Sequence, residues 1–125
     1  MMKHILIIDD DRDELSIFEG AFEALTFKTK CTYAEGCEHA LNILDYLVPD
    51  IIFLDINMPR IDGLECLRRI RRRSHLFDVP VIMFSSGMNK ATSQKAIQLG
   101  AMNCYQKSNS IQVLSRTIAE ILQKN

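Results

Sequence analysis

Three unbroken apolar runs, Ile5 to Ile8, Ile51 to Leu54 and Val81 to Phe84, constrain this chain more than any other feature. A short strand with no polar member has no side to turn to water, so each run reads as a strand covered on both faces. Each run is closed by a polar side chain: Asp9, Asp55 and Ser85. The middle one lies in the stretch PDIIFLDINMPRIDG, Pro49 to Gly63. Burying a lone ionised carboxylate costs several kcal/mol, so Asp55 belongs at the exposed mouth of its strand, where a cation or donor can meet it. Met58-Pro59 then stops the strand, and Asp62-Gly63 opens a helix with an N-cap residue.

The segments between the runs have a different period. Leu15, Phe18, Phe22 and Leu25 recur at three- and four-residue spacing, the mark of one helix face. Phe27 to Tyr33 reads as a second strand and Glu35 to Val48 as a second helix ended by Pro49. Leu64, Leu67 and Ile70 mark a third helix, and Ala91 to Leu99 a fourth, capped by Gly100. Met102 to Gln106 is a fifth strand, and Ile111, Leu114, Ile118, Ile121 and Leu122 mark a fifth helix. Lys3 to Ile8 and Pro80 to Phe84 complete the strands. This alternation predicts an α/β fold, because parallel strands need crossover helices of one hand. Lys28, Thr29, Lys30 and Thr32 make the second strand polar enough for an edge. The expected architecture is a flavodoxin-like, doubly wound, five-stranded parallel sheet of order 2-1-3-4-5 with five helices, whose ligands bind at the carboxyl ends of the strands.

At 125 residues the chain suits a single domain over 1–125, with no output domain expected beside it. Its 15 basic and 16 acidic side chains leave a net charge of -1, which recruits neither nucleic acid nor an anionic membrane. The amino terminus has too short an apolar stretch for a signal segment or a span, and a cytoplasmic location is expected. Cys31, Cys37, Cys66 and Cys104 form no CxxC pair and no zinc spacing, so reduced thiols are expected at all four. The arginines at 68, 69, 71, 72 and 73 read as a solvated helix end that complements the negative carboxyl terminus of the helix. His4, His39 and His75 are scattered and take no site role.

At the carboxyl edge of such a sheet, Asp9, Asp10, Asp55, Ser85 and Lys107 face one crevice. Carboxylates this close repel unless a cation intervenes, and an all-oxygen acidic set suits Mg²⁺, which itself favours phosphate oxygens. Lys107 offers a point charge and Ser85 a hydroxyl donor for those oxygens. Asp55, the single carboxylate on the middle strand, is the best phosphoryl acceptor.

With IIDDD, FLDINMPRIDG, VIMFSS and GAMNCYQK in this order, the chain resembles a response-regulator receiver domain of two-component signalling over essentially its whole length. The resemblance implies that Asp55 is the phospho-acceptor and that the protein is not an enzyme beyond its own phosphorylation and dephosphorylation. It implies Mg²⁺ bound by Asp10, Asp55 and the backbone carbonyl of Asn57, with Asp9 acting through water. Ser85 is similar to the switch hydroxyl residue and Lys107 to the lysine that pairs with the phosphoryl group. The implied partners are a sensor histidine kinase or histidine phosphotransfer protein and a downstream protein target. The fourth helix, fifth strand and fifth helix are the implied readout face and the candidate dimer face.

Three positions depart from the family pattern. Ser108 replaces the proline that usually follows the lysine, which favours a trans bond there. Cys104 stands where a switch aromatic is common, and Ser85 replaces the commoner threonine. Two other functions compete. A haloacid-dehalogenase-like, Mg²⁺-dependent phosphatase would resemble DxDxT, but the second acid is here Asn57. A flavin- or nucleotide-binding module would want a glycine- or hydroxyl-rich loop after the first strand, where this chain has three aspartates.

Overall fold

The structure, a computed structural model, describes residues 2–23, 25–107 and 111–124; within the last helix the side chains of residues 111, 114, 115 and 124 fall outside that description. The expected markers Ile111 and Leu114 are therefore not assigned to a face, and Ser108, with its bond to Lys107, lies outside the described residues. The elements run β1 (Lys3–Ile8), α1 (Arg12–Glu23), β2 (Thr29–Ala34), α2 (Cys37–Leu44), β3 (Ile51–Asp55), α3 (Gly63–Arg71), a 3-10 turn (Ser74–Leu76), β4 (Val81–Ser85), α4 (Lys90–Gln98), β5 (Asn103–Gln106) and α5 (Ile111–Lys124). All strand pairs are parallel and the order is β2-β1-β3-β4-β5, as the alternation requires.

The pleat sorts the apolar runs onto two faces. Ile5, Ile7, Ile51, Phe53, Ile82 and Phe84 pack with Phe18 and Phe22 of α1 and with Ile118, Ile121 and Leu122 of α5. Leu6, Ile8, Ile52, Leu54, Val81 and Met83 pack on the other side, with Ala40, Ile43 and Leu44 of α2, with Cys66, Leu67 and Ile70 of α3, and with Ala96 of α4. Helix starts follow local chemistry. The Asp11 carboxylate accepts the Asp13 N–H at the start of α1, Asp62 accepts the Glu65 N–H at the start of α3, and Asn89 accepts the Thr92 N–H at the start of α4, each at 2.9 Å.

Two expectations need correction. The second helix stops at Leu44, not Val48; the turn at Asp45 and Tyr46 follows it, and Val48 is exposed. Pro49 keeps Val48 out of the helix, since its ring disfavours helical backbone at the residue before it. The four cysteines are also not all reduced thiols: Cys37 and Cys66 form a disulfide, while Cys31 and Cys104 are free. The paired residues open α2 and lie within α3, 29 positions apart in sequence, and the packing of these helices on one face brings their Cα atoms to 5.6 Å, inside bridging range. Nothing in the spacing announces a contact made only by tertiary packing.

The arginine cluster is mostly occupied. Arg71 donates to the carbonyls of Gly100, Leu76 and Val79 at 3.1, 2.9 and 2.8 Å, stapling α3 to the loops beside it. Arg68 and Arg69 pair with Glu65, and Arg73 with Asp45. Among the described residues no helix is long and apolar enough to cross a membrane.

Candidate functional site

Strand register builds the site. Ile8 is level with Leu54, so Asp9 and Asp55 end neighbouring strands side by side. Asp55 is level with Phe84 and Ser85 with Gln106, which steps the edge one residue further to Ser85 and then Lys107. Asp9, Asp10 and Asp55 each offer a carboxylate oxygen, and these atoms lie within 4.8 Å of one another. Asp9 and Asp55 are buried while Asp10 is exposed, so the group opens to water on one side. The backbone fixes the two buried acids: Asp9 Oδ1 accepts the Asp11 N–H at 2.9 Å, and Asp55 Oδ1 accepts the Asn57 N–H at 3.1 Å. The Tyr33 hydroxyl adds a 2.6 Å bond to the Asp9 carbonyl.

Lys107 reaches into this group from the end of β5. Its Nζ lies 3.2 Å from Asp9 Oδ2 and 3.3 Å from Asp55 Oδ1, and it also pairs with Glu14 of α1. Burial pushes the Asp9 and Asp55 carboxyls above their ordinary range, and Lys107 opposes that rise in both. Glu14 is also raised, by burial and then by its hydrogen bond with Asp9. Burial works to lower the Lys107 ammonium, but its hydrogen bond to Glu14, with the charges of Asp9, Asp55 and Glu14, outweighs burial and holds it above the usual lysine range. Three buried or half-buried carboxylates around one ammonium, with a fourth at the rim, leave an excess of negative charge that a hard divalent cation would satisfy.

Ser85 is buried nearby, but its place differs from that of Lys107. Its Oγ accepts from Asn57 Nδ2 at 2.8 Å and from the Gly87 N–H at 3.2 Å. It is in phase with Val81 and Met83, which face α2 to α4, whereas Asp55 is in phase with Ile51 and Phe53, which face α1 and α5. Asn57, expected to act through its backbone carbonyl, thus also links the two sides: its N–H holds Asp55 and its side chain holds Ser85. The histidines make bonds elsewhere. His4 bonds Thr32 at 2.7 Å, His75 bonds the Leu44 carbonyl at 2.9 Å, and His39 accepts the Glu35 N–H at 3.3 Å.

The roles of three residues escaped the sequence reading. Glu14 stands in the first turn of α1, and its distance from Asp9 along the chain hid a contact that the helix closes. Gln106 accepts the Met88 N–H at 3.1 Å and donates to the Ser86 carbonyl, clamping the loop before α4; strand alternation from Cys104 was the available signal. Gly63 is required by space: a Cβ there would sit 2.2 Å from the carbonyl oxygen of Asp55. The tight return of the chain is held by the Gly63 N–H on the Ile56 carbonyl, at 2.8 Å.

An acidic pocket at the carboxyl edge of a doubly wound parallel sheet, with a lysine reaching into it, defines the class of α/β phospho-acceptor regulators. The profile of the response regulator receiver domain matches residues 5–119, and the chain belongs to that family. It is 30% identical over 122 residues to the regulatory protein AtoC of Escherichia coli strain K12, covering 98% of this chain and 26% of that protein. The chain thus spans about a quarter of that relative's length. The phosphorylated cyanobacterial phytochrome response regulator RcpA superposes with a TM-score of 0.87 at 22% identity, covering 98% of this chain and 93% of that one. The Mn²⁺-bound response regulator Rcp1 superposes with a TM-score of 0.82 at 21% identity, over 95% and 91% of the two chains. At such identities these structures bear on the fold alone.

Proposed function

We propose that this chain receives a phosphoryl group on Asp55 from a histidine kinase or histidine phosphotransfer protein and passes the signal on by changing which protein it binds. The observation that carries this reading is the Lys107 ammonium set 3.3 Å from Asp55 and 3.2 Å from Asp9, beside the acidic group. One Asp55 oxygen forms the new P–O bond while the bond from phosphorus to the donor imidazole nitrogen breaks, its electron pair returning to the ring. Such a transfer asks for placement and charge neutralisation more than for acid or base chemistry. Lys107 meets the developing charge on the phosphoryl oxygens, and the Ser85 hydroxyl can turn to donate to one of them.

The all-oxygen donor set of Asp10, Asp55 and the backbone carbonyl of Asn57, with Asp9 through water, fits Mg²⁺, which would neutralise charge on the phosphoryl oxygens when bound. Rcp1, which shares the fold, has a Mn²⁺-bound form, and this supports a divalent ion as the partner of the acidic set. A haloacid-dehalogenase-like reading is disfavoured because Asn57 bonds Ser85 and offers no acid two residues after the acceptor. Output runs through the face of α4, β5 and α5, with Ser85 and the loop after it moving between two pre-existing arrangements.

Intact-mass measurement after incubation with acetyl phosphate and Mg²⁺ tests the assignment. Wild type should gain one phosphoryl group and Asp55→Asn none; equal labelling of the two would overturn it.

A further inference from the structure

The Lys107 ammonium has three N–H donors, and three carboxylates surround it: Asp9, Asp55 and Glu14. It is therefore fully engaged before any phosphoryl group arrives. An anionic group on Asp55 inherits the N–H that the Asp55 carboxylate gives up as its oxygen bonds phosphorus, and Lys107 can meet it with a second N–H only if another partner lets go. Asp9 is a poor candidate, since its side chain is 3% exposed and also holds a backbone N–H. Glu14 differs: it holds no backbone N–H among the bonds described, its side-chain partners are Lys107 and Asp9, and its side chain is 27% exposed on the first helical turn, so water can receive its carboxyl group on release.

We propose that Glu14 is a positioning residue that holds Lys107 in the unphosphorylated protein and yields it to the phosphoryl group. The inference rests on the phospho-acceptor reading and deepens it. Glu14 competes with the phosphoryl oxygens for the same ammonium, so it lowers the affinity of the site for a tetrahedral anion. Its negative charge also adds to the acidic group, so it raises the affinity for a divalent cation. Removing that charge should thus move the two affinities in opposite directions, which a merely structural role would not do.

The test is calorimetric titration of wild type, Glu14→Gln and Glu14→Ala, first with Mg²⁺ alone and then with beryllofluoride at saturating Mg²⁺. Both variants should bind beryllofluoride about three- to tenfold more tightly than wild type and Mg²⁺ about two- to threefold more weakly. Thermal unfolding of each variant verifies that its fold is intact. In a Lys107→Ala background the gain for beryllofluoride should vanish, because the competition is for that ammonium. Unchanged or weaker beryllofluoride binding in the Glu14 variants, or a gain that persists without Lys107, would overturn the proposal. Failure of the wild type itself to bind beryllofluoride, or equal binding by Asp55→Asn, would instead strike the phospho-acceptor reading.

Discussion

The two faces of the sheet are made of different material, and the site is divided between them. Toward α1 and α5 the filling is aromatic: the ring centroids of Phe18 and Phe84 each lie 5.6 Å from Phe53, and Tyr105 stacks on Phe84 at 5.7 Å. Toward α2, α3 and α4 it is aliphatic, with methionine, alanine and sulfur, and α4 is the lightly held part. Its only fully buried side chain is Ala96, while Ile97 is exposed and Cys104 offers β5 a small thiol that reaches the Ser93 carbonyl at 3.8 Å. Asp55, with Lys107 and Glu14 around it, belongs to the aromatic side. Ser85, Gln106 and the loop to α4 belong to the other. A rigid floor thus carries the charges, and the segment expected to respond is anchored by few apolar contacts, as elements that move must be.

The strongest attack on this contrast is to excavate the floor. Phe53→Ala should cost about 3–5 kcal/mol, whereas Ile97→Ala on α4 should stay within about 0.5 kcal/mol, both by urea unfolding. Comparable losses would show that the two faces are equally tight. Gly63→Ala comes next, since its Cβ would press on the Asp55 carbonyl. A loss of about 2–3 kcal/mol is expected, together with weaker beryllofluoride binding as the acceptor shifts. Unaltered binding would mean that the β3 end tolerates displacement.

The charged half can be probed through pH. Burial raises the Asp55 carboxyl, so its contribution to stability is full below the ordinary carboxylate pKa and is lost as pH rises through the raised value. Asp55→Asn removes that loss and should stabilise the metal-free protein at neutral pH, an advantage that narrows as pH is lowered. Chemical denaturation in chelator across that range checks it, and a destabilised Asp55→Asn protein would refute it.

The smallest effect separates the two sides directly. Tyr105→Leu should cost about 1 kcal/mol of stability through lost ring stacking, yet leave the beryllofluoride-induced amide shifts of Met88 to Leu99 intact. Ser85→Ala should weaken those shifts. The reverse pattern would place the signal on the aromatic face.

The fold was legible because apolar runs, a period change and terminating polar residues all agree along the chain. Tyr105 and Cys104 were assigned to opposite faces by alternation alone, and they pack on opposite faces. The placing of Asp9, Asp10, Asp55, Ser85 and Lys107 along one edge was also readable, since a parallel sheet carries the carboxyl ends of its strands there. Other features were hidden. Val48 kept helical spacing, but the proline that follows it disfavours helical backbone at that very residue. Glu14 had nothing to distinguish it from any acidic residue in a first helical turn, and the pairing of Cys37 with Cys66 depended on how two helices settle.

What the chain determined by itself is therefore what local rules can write: the strands and their polar ends, the helix cap at Asp62, and the kinds of charge available at the edge. Tertiary structure alone decided which carboxylates share the Lys107 ammonium, that Ser85 turns to Asn57, and that residue 63 has no room for a side chain. Those depend on strand register and helix docking, set by burial of the whole apolar surface at once. A distance of 3.2 or 3.3 Å between side chains far apart in sequence is the product of that collective packing, which no local pattern encodes.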